Sequence, residues 1–343
     1  MGSLRHSLEI RAGEKDFSTG LLNDLVEALR ALADGELLSL HGPSRLGPDL
    51  DRWARFTGNA IVEVTPEGEI HRFLVRKGAP RSYDEASLVG SRLWLYTNFD
   101  CNLRCDYCCV RSSPTAPRRE LGLARVQRIA REAVELGVKE IFATGGEPFL
   151  LEDIGEILAA CAAAAPTTVL TNGMLLTGRR AETLQALPRD RIVLQISLDS
   201  ATPELHDLHR GQGTWARTRE GIQRARAQGF RVRLAATVST DAEAEQIRRF
   251  LDEEKVAAED RVIRRIALRG SAIEGVALSR ADLAPEVTIT ADGVYWHPVG
   301  AEDVDLLVTG DIFPLVESFA AVRRAFDHEG EHANKLARIF NCA

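Results

Sequence analysis

Three cysteines, Cys101, Cys105 and Cys108, stand in one short stretch directly after an apolar run that ends in Asn98-Phe99-Asp100. No other feature restricts the chain as strongly, because three clustered thiols ask for a metal. Thiolates are soft ligands, and the spacing Cys-x3-Cys-x-aromatic-Cys lets one loop close over a single inorganic centre, as in iron–sulfur and zinc sites. The fourth ligand separates the metals. Cys109 adjoins Cys108 and is badly placed to join the same centre, and no His falls between Arg81 and His206. Three thiolates with one open position is the reading these residues favour. A structural zinc knuckle and a disulfide are the alternatives.

The 343 residues suffice for one large domain and a smaller one, each with its own core. A net charge of −7 gives no reason to expect a nucleic-acid partner. The longest weakly polar stretch, Ile157 to Ala165, is too short to span a bilayer and stops at Pro166, and the amino terminus lacks a charged-then-apolar signal pattern. The expectation is a cytoplasmic protein without a membrane partner. Four of the six cysteines lie between 101 and 109, which suits metal chemistry in a reducing compartment better than a disulfide framework.

From Leu93 onward, patterns of strand and helix alternate. Strands are expected at Leu93–Thr97, Glu140–Ala143, Thr168–Leu170, Ile192–Ser197, Arg231–Thr237 and Val262–Leu268, with helices at Leu123–Leu136, Leu151–Ala164, Arg180–Leu187, Trp215–Gln228 and Ala242–Lys255. Such repeats build an α/β fold with a parallel sheet and helices outside it, and right-handed crossovers curl the sheet. Periodicity alone does not choose between a flat sheet and a barrel. Sites in such folds lie at the carboxyl ends of the strands. The cysteine loop follows strand one, and Thr144-Gly145-Gly146-Glu147-Pro148 follows strand two. There, two glycines let a ligand approach bare backbone, and a carboxylate beside them can hold an ammonium group. Strand three ends in Thr171-Asn172-Gly173. Strand four ends in Gln195-Ile196-Ser197-Leu198-Asp199, where alternation puts Ser197 and Asp199 on one face.

The cysteine spacing resembles the signature of the radical S-adenosylmethionine (radical SAM) superfamily. The resemblance implies a partial (β/α)6 barrel over residues 81–275, with Cys101, Cys105 and Cys108 holding three irons of one [4Fe–4S] cluster whose fourth iron chelates SAM. Tyr107, the aromatic residue of the loop, would lie at the cofactor. Gly145, Gly146, Glu147 and Pro148 look like the family motif that binds the SAM amino group, and Asn172 ends the next strand. Ser197 would touch the SAM ribose or carboxylate with Asp199 beside it. His206-Asp207-Leu208-His209-Arg210-Gly211 is similar to a loop of the SPASM/twitch-like branch containing molybdenum-cofactor protein A and the peptide-modifying maturases. Arg210 would neutralise the SAM carboxylate, while a solvated helix start is an equal reading for His206 and His209. The implied activity needs an electron donor of flavodoxin or ferredoxin type. It cleaves SAM reductively to a 5′-deoxyadenosyl radical, which takes hydrogen from a small molecule of sugar or nucleoside type. Epimerisation, rearrangement or sulfur insertion would follow. Modification of a ribosomal peptide is the alternative, and a zinc-binding or sulfur-relay scaffold is the alternative from a different class.

Residues 1–80 read strand, helix, strand, helix, strand, strand, with Thr65-Pro66-Glu67-Gly68 as a hairpin signal. On Gly35-Glu36-Leu37-Leu38, Asp49-Leu50-Asp51-Arg52-Trp53 and Phe73-Leu74-Val75-Arg76-Lys77-Gly78 the stretch resembles the small α+β sulfur carrier of the TusA/SirA kind. That family opens its first helix with a sulfur-bearing Cys-Pro pair, and here Ser18-Thr19 stand at the position, as a helix N-cap. Residues 77–82 read as a linker. After the barrel, residues 276–343 resemble a degenerate twitch or SPASM extension. It opens with a hairpin closed by Asp292-Gly293 and carries His297-Pro298 where a Pro-Cys pair normally begins auxiliary cluster ligands. Cys161 and Cys342 alone remain, so one cluster is expected. Cys161 reads as a small buried hydrophobe, and Cys342, next to last, as an accident of the terminus, with a hydrogen-atom donor or substrate-facing lid residue as the sharper alternative.

Overall fold

The computed structural model describes residues 8–13, 15, 21–57, 59–78 and 89–330. They fall into two units, one ending before residue 79 and one beginning after residue 88. Ser18-Thr19, most of the expected linker and Cys342 lie outside the described residues.

The first unit runs β1 (Leu8–Arg11), α1 (Leu21–Arg30), β2 (Leu37–Gly42), α2 (Gly47–Thr57), β3 (Ala60–Glu67), β4 (Ile70–Arg76). Its sheet has the order β1-β2-β4-β3, with only β1 and β2 parallel. Leu21, Leu25, Ala28 and Leu29 recur at helical spacing and pack with Leu50, Trp53 and Ala54 onto Leu38, Leu40, Phe73 and Val75 of the sheet. The hairpin turns later than the sequence suggests. Pro66 continues β3 opposite His71, which an edge strand tolerates, and Gly68 with its φ of +68° makes the reversal.

The second unit begins with β5 (Arg92–Tyr96) and alternates through α3 (Leu123–Glu135), β6 (Glu140–Thr144), α4 (Ile154–Ala164), β7 (Thr167–Thr171), α5 (Gly178–Gln185) and β8 (Ile192–Ser197). Two helices, α6 (Pro203–Arg210) and α7 (Thr214–Ala227), lead to β9 (Arg231–Val238), then α8 (Asp241–Glu253) and β10 (Arg261–Arg265). The six strands β5 to β10 are parallel and adjacent in chain order. Each presents alternate residues to two sides. Leu93 and Leu95 join the large core that includes Val126 and Ile129 of α3 and Ile157, Leu158 and Cys161 of α4. Trp94 and Phe142 face the other way, stacked with ring centroids 4.3 Å apart, in a small cluster with Ala267 and Val299. Cys161 is fully buried, as a small hydrophobe would be.

The chain after residue 276 adds to the same sheet. β11 (Val287–Thr290) pairs parallel to β5, and β12 (Gly293–Tyr295) and β13 (Leu307–Thr309) follow antiparallel, giving the order β10-β9-β8-β7-β6-β5-β11-β12-β13. α9 (Leu315–Gly330) buries Leu315, Phe319 and Val322 in the large core, and its Phe319 ring fills the space beside Gly90. Among the described residues no helix is long and apolar enough to cross a membrane.

Candidate active site at the carboxyl ends of the strands

The cysteine loop leaves β5 through Asn98, which is wholly buried and whose Nδ2 donates to the carbonyls of Asp100 and Glu147, each at 3.0 Å. The Gly146 amide donates back to the Asn98 carbonyl, and the Glu147 amide to that of Asp100, also at 3.0 Å. A Cβ on Gly146 would lie 2.1 Å from the Asp100 carbonyl oxygen. Gly146 therefore lets the loops after β5 and β6 pack backbone to backbone, while with Gly145 it also lines a cavity.

Cys101, Cys105, Cys108, Tyr107, Asn172, Ser197 and Arg210 line that same cavity, so one space gathers residues from four strand ends. The Leu103 amide donates to Cys101 Sγ at 3.3 Å, and the amides of Val110 and Ser112 donate to the Cys108 sulfur. Burial pushes the Cys101 and Cys105 thiols up and that of Cys108 up to about 12. Only a bound cation would hold all three as thiolates near neutral pH. Among the described residues no three His, Cys, Asp or Glu side chains are placed to share a single metal ion. The three thiols all belong to the lining of the one cavity, and thiolates are the ligands of iron–sulfur clusters.

Further contacts fix the loop. Asn172 Nδ2 donates to Asn102 Oδ1 at 2.8 Å, His209 Nδ1 meets Asp106 at 2.9 Å, and the Ser271 amide donates to the Cys108 carbonyl at 2.8 Å. The Tyr107 hydroxyl donates to Asp199, whose carboxylate also takes the Arg210 guanidinium and, at 3.0 Å, the Thr237 amide. Burial pushes the Asp199 carboxyl up. The adjacent Arg210 charge and the bonds to it outweigh burial and hold it below the usual range. This knot joins the cysteine loop to β8, α6 and β9.

Several residues singled out by sequence sit behind the wall. Glu147 is fully buried, and its carboxylate accepts from the Phe149 amide at 3.0 Å, the Thr171 hydroxyl at 2.8 Å and the Asn172 amide at 2.8 Å. Neither it nor Pro148 lines the cavity, and Asp199 does not either. The structure answers the question left open at His206 to Gly211, where α6 spans Pro203–Arg210. Asp207 accepts from the amides of Gly213 at 2.6 Å and Trp215 at 2.8 Å, which caps α7. His206 is buried, and its Nδ1 accepts from the Asp199 amide at 3.3 Å.

Other lining residues carry no motif: Trp94 and Tyr96 of β5, Cys109, Thr237, Arg264 and Val299. For those on strands the signal is alternation, whose inner side is known only once the sheet is built: Thr237 and Arg264 lie opposite each other in register on β9 and β10, whereas Cys109 and Val299 lie in loops. His297-Pro298 is part of the same wall. His297 is buried, its Nδ1 accepting from the Val299 amide at 3.1 Å, and the Pro298 carbonyl accepts from the Tyr96 hydroxyl at 2.7 Å.

Comparison with known protein families matches residues 95–252 to the radical SAM superfamily. Among curated proteins, the chain is 36% identical over 143 residues to the antilisterial bacteriocin subtilosin biosynthesis protein AlbA of Bacillus subtilis, covering 40% of this chain and 31% of that protein. It is 33% identical over 142 residues to a probable GTP 3′,8-cyclase of Archaeoglobus fulgidus, covering 41% and 47% respectively. The chain thus spans less than half the length of these relatives. Among solved structures, native anSMEcpe with bound AdoMet and the Kp18Cys peptide aligns with a TM-score of 0.53 at 12% identity, over 68% of this chain and 82% of that one, a likeness of fold.

Proposed function

We propose, from the premise that residues 95–252 belong to the radical SAM superfamily, whose enzymes use a [4Fe–4S] cluster and SAM, that this chain performs radical chemistry on a small molecule in the cavity at its strand ends. The supporting observation is that three thiols, Cys101 buried and Cys105 and Cys108 half-buried, share one cavity wall with Asn172 and Ser197. When bound, the two groups supply an electron and a cleavable sulfonium, and hence a 5′-deoxyadenosyl radical able to take hydrogen from an unactivated carbon. The protein supplies position. Cys101, Cys105 and Cys108 would hold the cluster, and Ser197 would offer a hydroxyl to the SAM ribose or carboxylate. Glu147, with its carboxylate saturated by three donors, serves the SAM site by fixing the loops after β6 and β7. Arg210 acts in the same indirect way, since Asp199 takes its guanidinium and Tyr107 ties the pair to the cysteine loop. Trp94, Leu170 and Val299 keep water from the reacting carbon.

A flavodoxin- or ferredoxin-type donor would provide the electron. The first unit would be a carrier-shaped module without a sulfur-bearing thiol, and the strands after residue 276 an extension without an auxiliary cluster. The match to a bacteriocin biosynthesis protein favours a ribosomal peptide as the second substrate reading.

Anaerobic reconstitution tests the proposal. About four irons per chain and reductant-dependent formation of 5′-deoxyadenosine are expected, both lost in Cys101→Ala, Cys105→Ala and Cys108→Ala and retained in Cys109→Ser. Stoichiometric zinc without iron would overturn it. Deuterium transfer into 5′-deoxyadenosine from labelled sugars or nucleosides, against labelled peptides, separates the two substrate readings.

A further inference from the structure

Among the described residues, one buried hydroxyl oxygen finds no hydrogen-bond partner, and it belongs to Ser112. Other buried hydroxyls are served: Thr171 donates to Glu147 at 2.8 Å, Thr218 to the Asn172 carbonyl at 3.0 Å and Ser318 to the Ile312 carbonyl at 2.7 Å. A hydroxyl left alone in the interior costs free energy, so its place in the fold calls for a reason. Ser112 is 5% exposed, lines the cavity with Cys108 and Val110, and donates its amide to the Cys108 sulfur. The chain is held there, because the Ser113 carbonyl accepts from the Cys101 amide at 3.2 Å and the Val110 side chain is buried. The hydroxyl hangs from this residue by one rotatable bond, so it can turn in the neighbourhood of that sulfur without moving the chain. Its oxygen is shut from solvent and therefore out of reach of a molecule that diffuses in, unlike the half-buried Ser197. A thiol is a weak acceptor, whereas a thiolate that ligates iron carries charge for a donor to meet.

We propose that the Ser112 hydroxyl donates to the sulfur of Cys108 when that thiolate ligates the cluster, and that this bond raises the cluster's reduction potential. The inference rests on the proposed role of Cys108 as a cluster ligand. A donor beside a sulfur stabilises the state with more negative charge, so the reduced form gains more than the oxidised one. One electron passes from the external flavodoxin- or ferredoxin-type donor to the cluster, and Ser112 keeps its proton throughout. Ser112 is thus a positioning residue. It touches a ligand sulfur rather than SAM or substrate, and it sets what fraction of the protein a given electron donor can reduce.

Redox titration of the anaerobically reconstituted full chain, followed by the electron paramagnetic resonance signal of the reduced cluster, tests the proposal. Ser112→Ala should shift the one-electron equilibrium about tenfold toward the oxidised form, a fall of about 59 mV. Ser112→Thr keeps a hydroxyl and should lie nearer the wild type than the alanine variant does. Ser113→Ala should match the wild type, since that hydroxyl already meets Thr115 Oγ1 at 3.3 Å and Ser113 is not part of the cavity lining. An unchanged or higher potential in Ser112→Ala overturns the proposal, as does an equal fall in Ser113→Ala or a threonine variant no closer to the wild type than alanine. If Ser112→Ala takes up no iron, Ser112→Gly is titrated in its place with the same expected fall. Failure of both to take up iron also overturns the proposal, because the hydroxyl then builds the loop rather than tuning the cluster. Wild-type protein that binds no iron refutes the reading of Cys108 itself, an outcome seen before any variant is titrated.

Discussion

His206 is an imidazole held without its second proton. Because Nδ1 accepts from the Asp199 amide, the single proton of the neutral ring is on Nε2, which has no partner among the described residues. Burial, and then the charge of Arg210, push its pKa from the ordinary 6.5 down to about 4. Between those values the unfolded chain binds a proton that the folded chain refuses, so stability falls as pH falls from 6.5 toward 4. The shift corresponds to roughly 3 kcal/mol. Urea unfolding at a series of pH values should show this slope in the wild type and a flatter one in His206→Gln. Identical slopes would show that another group carries it. The low-lying carboxyls of Asp199, Glu302 and Asp305 and the raised ones of Glu147 and Glu286 titrate in wild type and variant alike, so the difference between the two slopes isolates His206.

At the scale of elements, the site is three loops knitted by backbone. Gly146 is the tightest stitch, since a methyl group there would meet the Asp100 carbonyl at 2.1 Å and force the loops after β5 and β6 apart. Gly146→Ala should cost about 1–3 kcal/mol, the usual range for overpacking. It should also lower iron uptake on reconstitution, although the substitution touches no thiol. Retention of full iron content would mean that the loops move independently. The six parallel strands β5 to β10 were legible within a residue or two, except where β10 stops at Arg265 rather than running to Leu268, ahead of the turn that sets Gly270 against the carbonyls of Cys108 and Cys109. α6 was hard to see, as its Leu208 faces solvent at 72% exposure and leaves little apolar stripe. The lining by Cys101, Cys105, Cys108, Asn172 and Ser197 was legible from motifs at strand ends. The saturation of Glu147 was not, because its donors come from residues 149, 171 and 172, whose convergence no local pattern records. Arg264 was invisible for a related reason, since which side of a parallel strand faces the cavity is decided only when the sheet is assembled, and Cys109 lies in the loop after β5, where no strand alternation marks it.

At the scale of the second unit, one carboxylate fastens the later strands to β5 and its parallel neighbours. Glu286, just before β11, accepts from the Trp94 indole and from Arg92 Nη1 at 3.0 Å, while its amide donates to the Trp296 carbonyl at 2.8 Å. Burial pushes its carboxyl up, and the Arg92 charge opposes that. β11 otherwise meets β5 over only Val287, Thr288 and Ile289, and the segment beyond it supplies Pro298 and Val299 to the cavity wall. Removing the carboxylate leaves a buried indole N–H without its acceptor and Arg92 without its nearest charge, so Glu286→Ala should destabilise by about 3 kcal/mol. Glu286→Gln keeps an acceptor for the indole and should recover part of that. The loss should be local. Hydrogen exchange should quicken in β11, β12, β13 and around Pro298, where the Tyr96 hydroxyl bond holds the wall, while β7 to β9 keep their protection because their pairing does not involve Glu286. Uniform acceleration across all nine strands would instead show that the later strands and the barrel unfold as one cooperative body, with Glu286 merely one contributor to a shared stability.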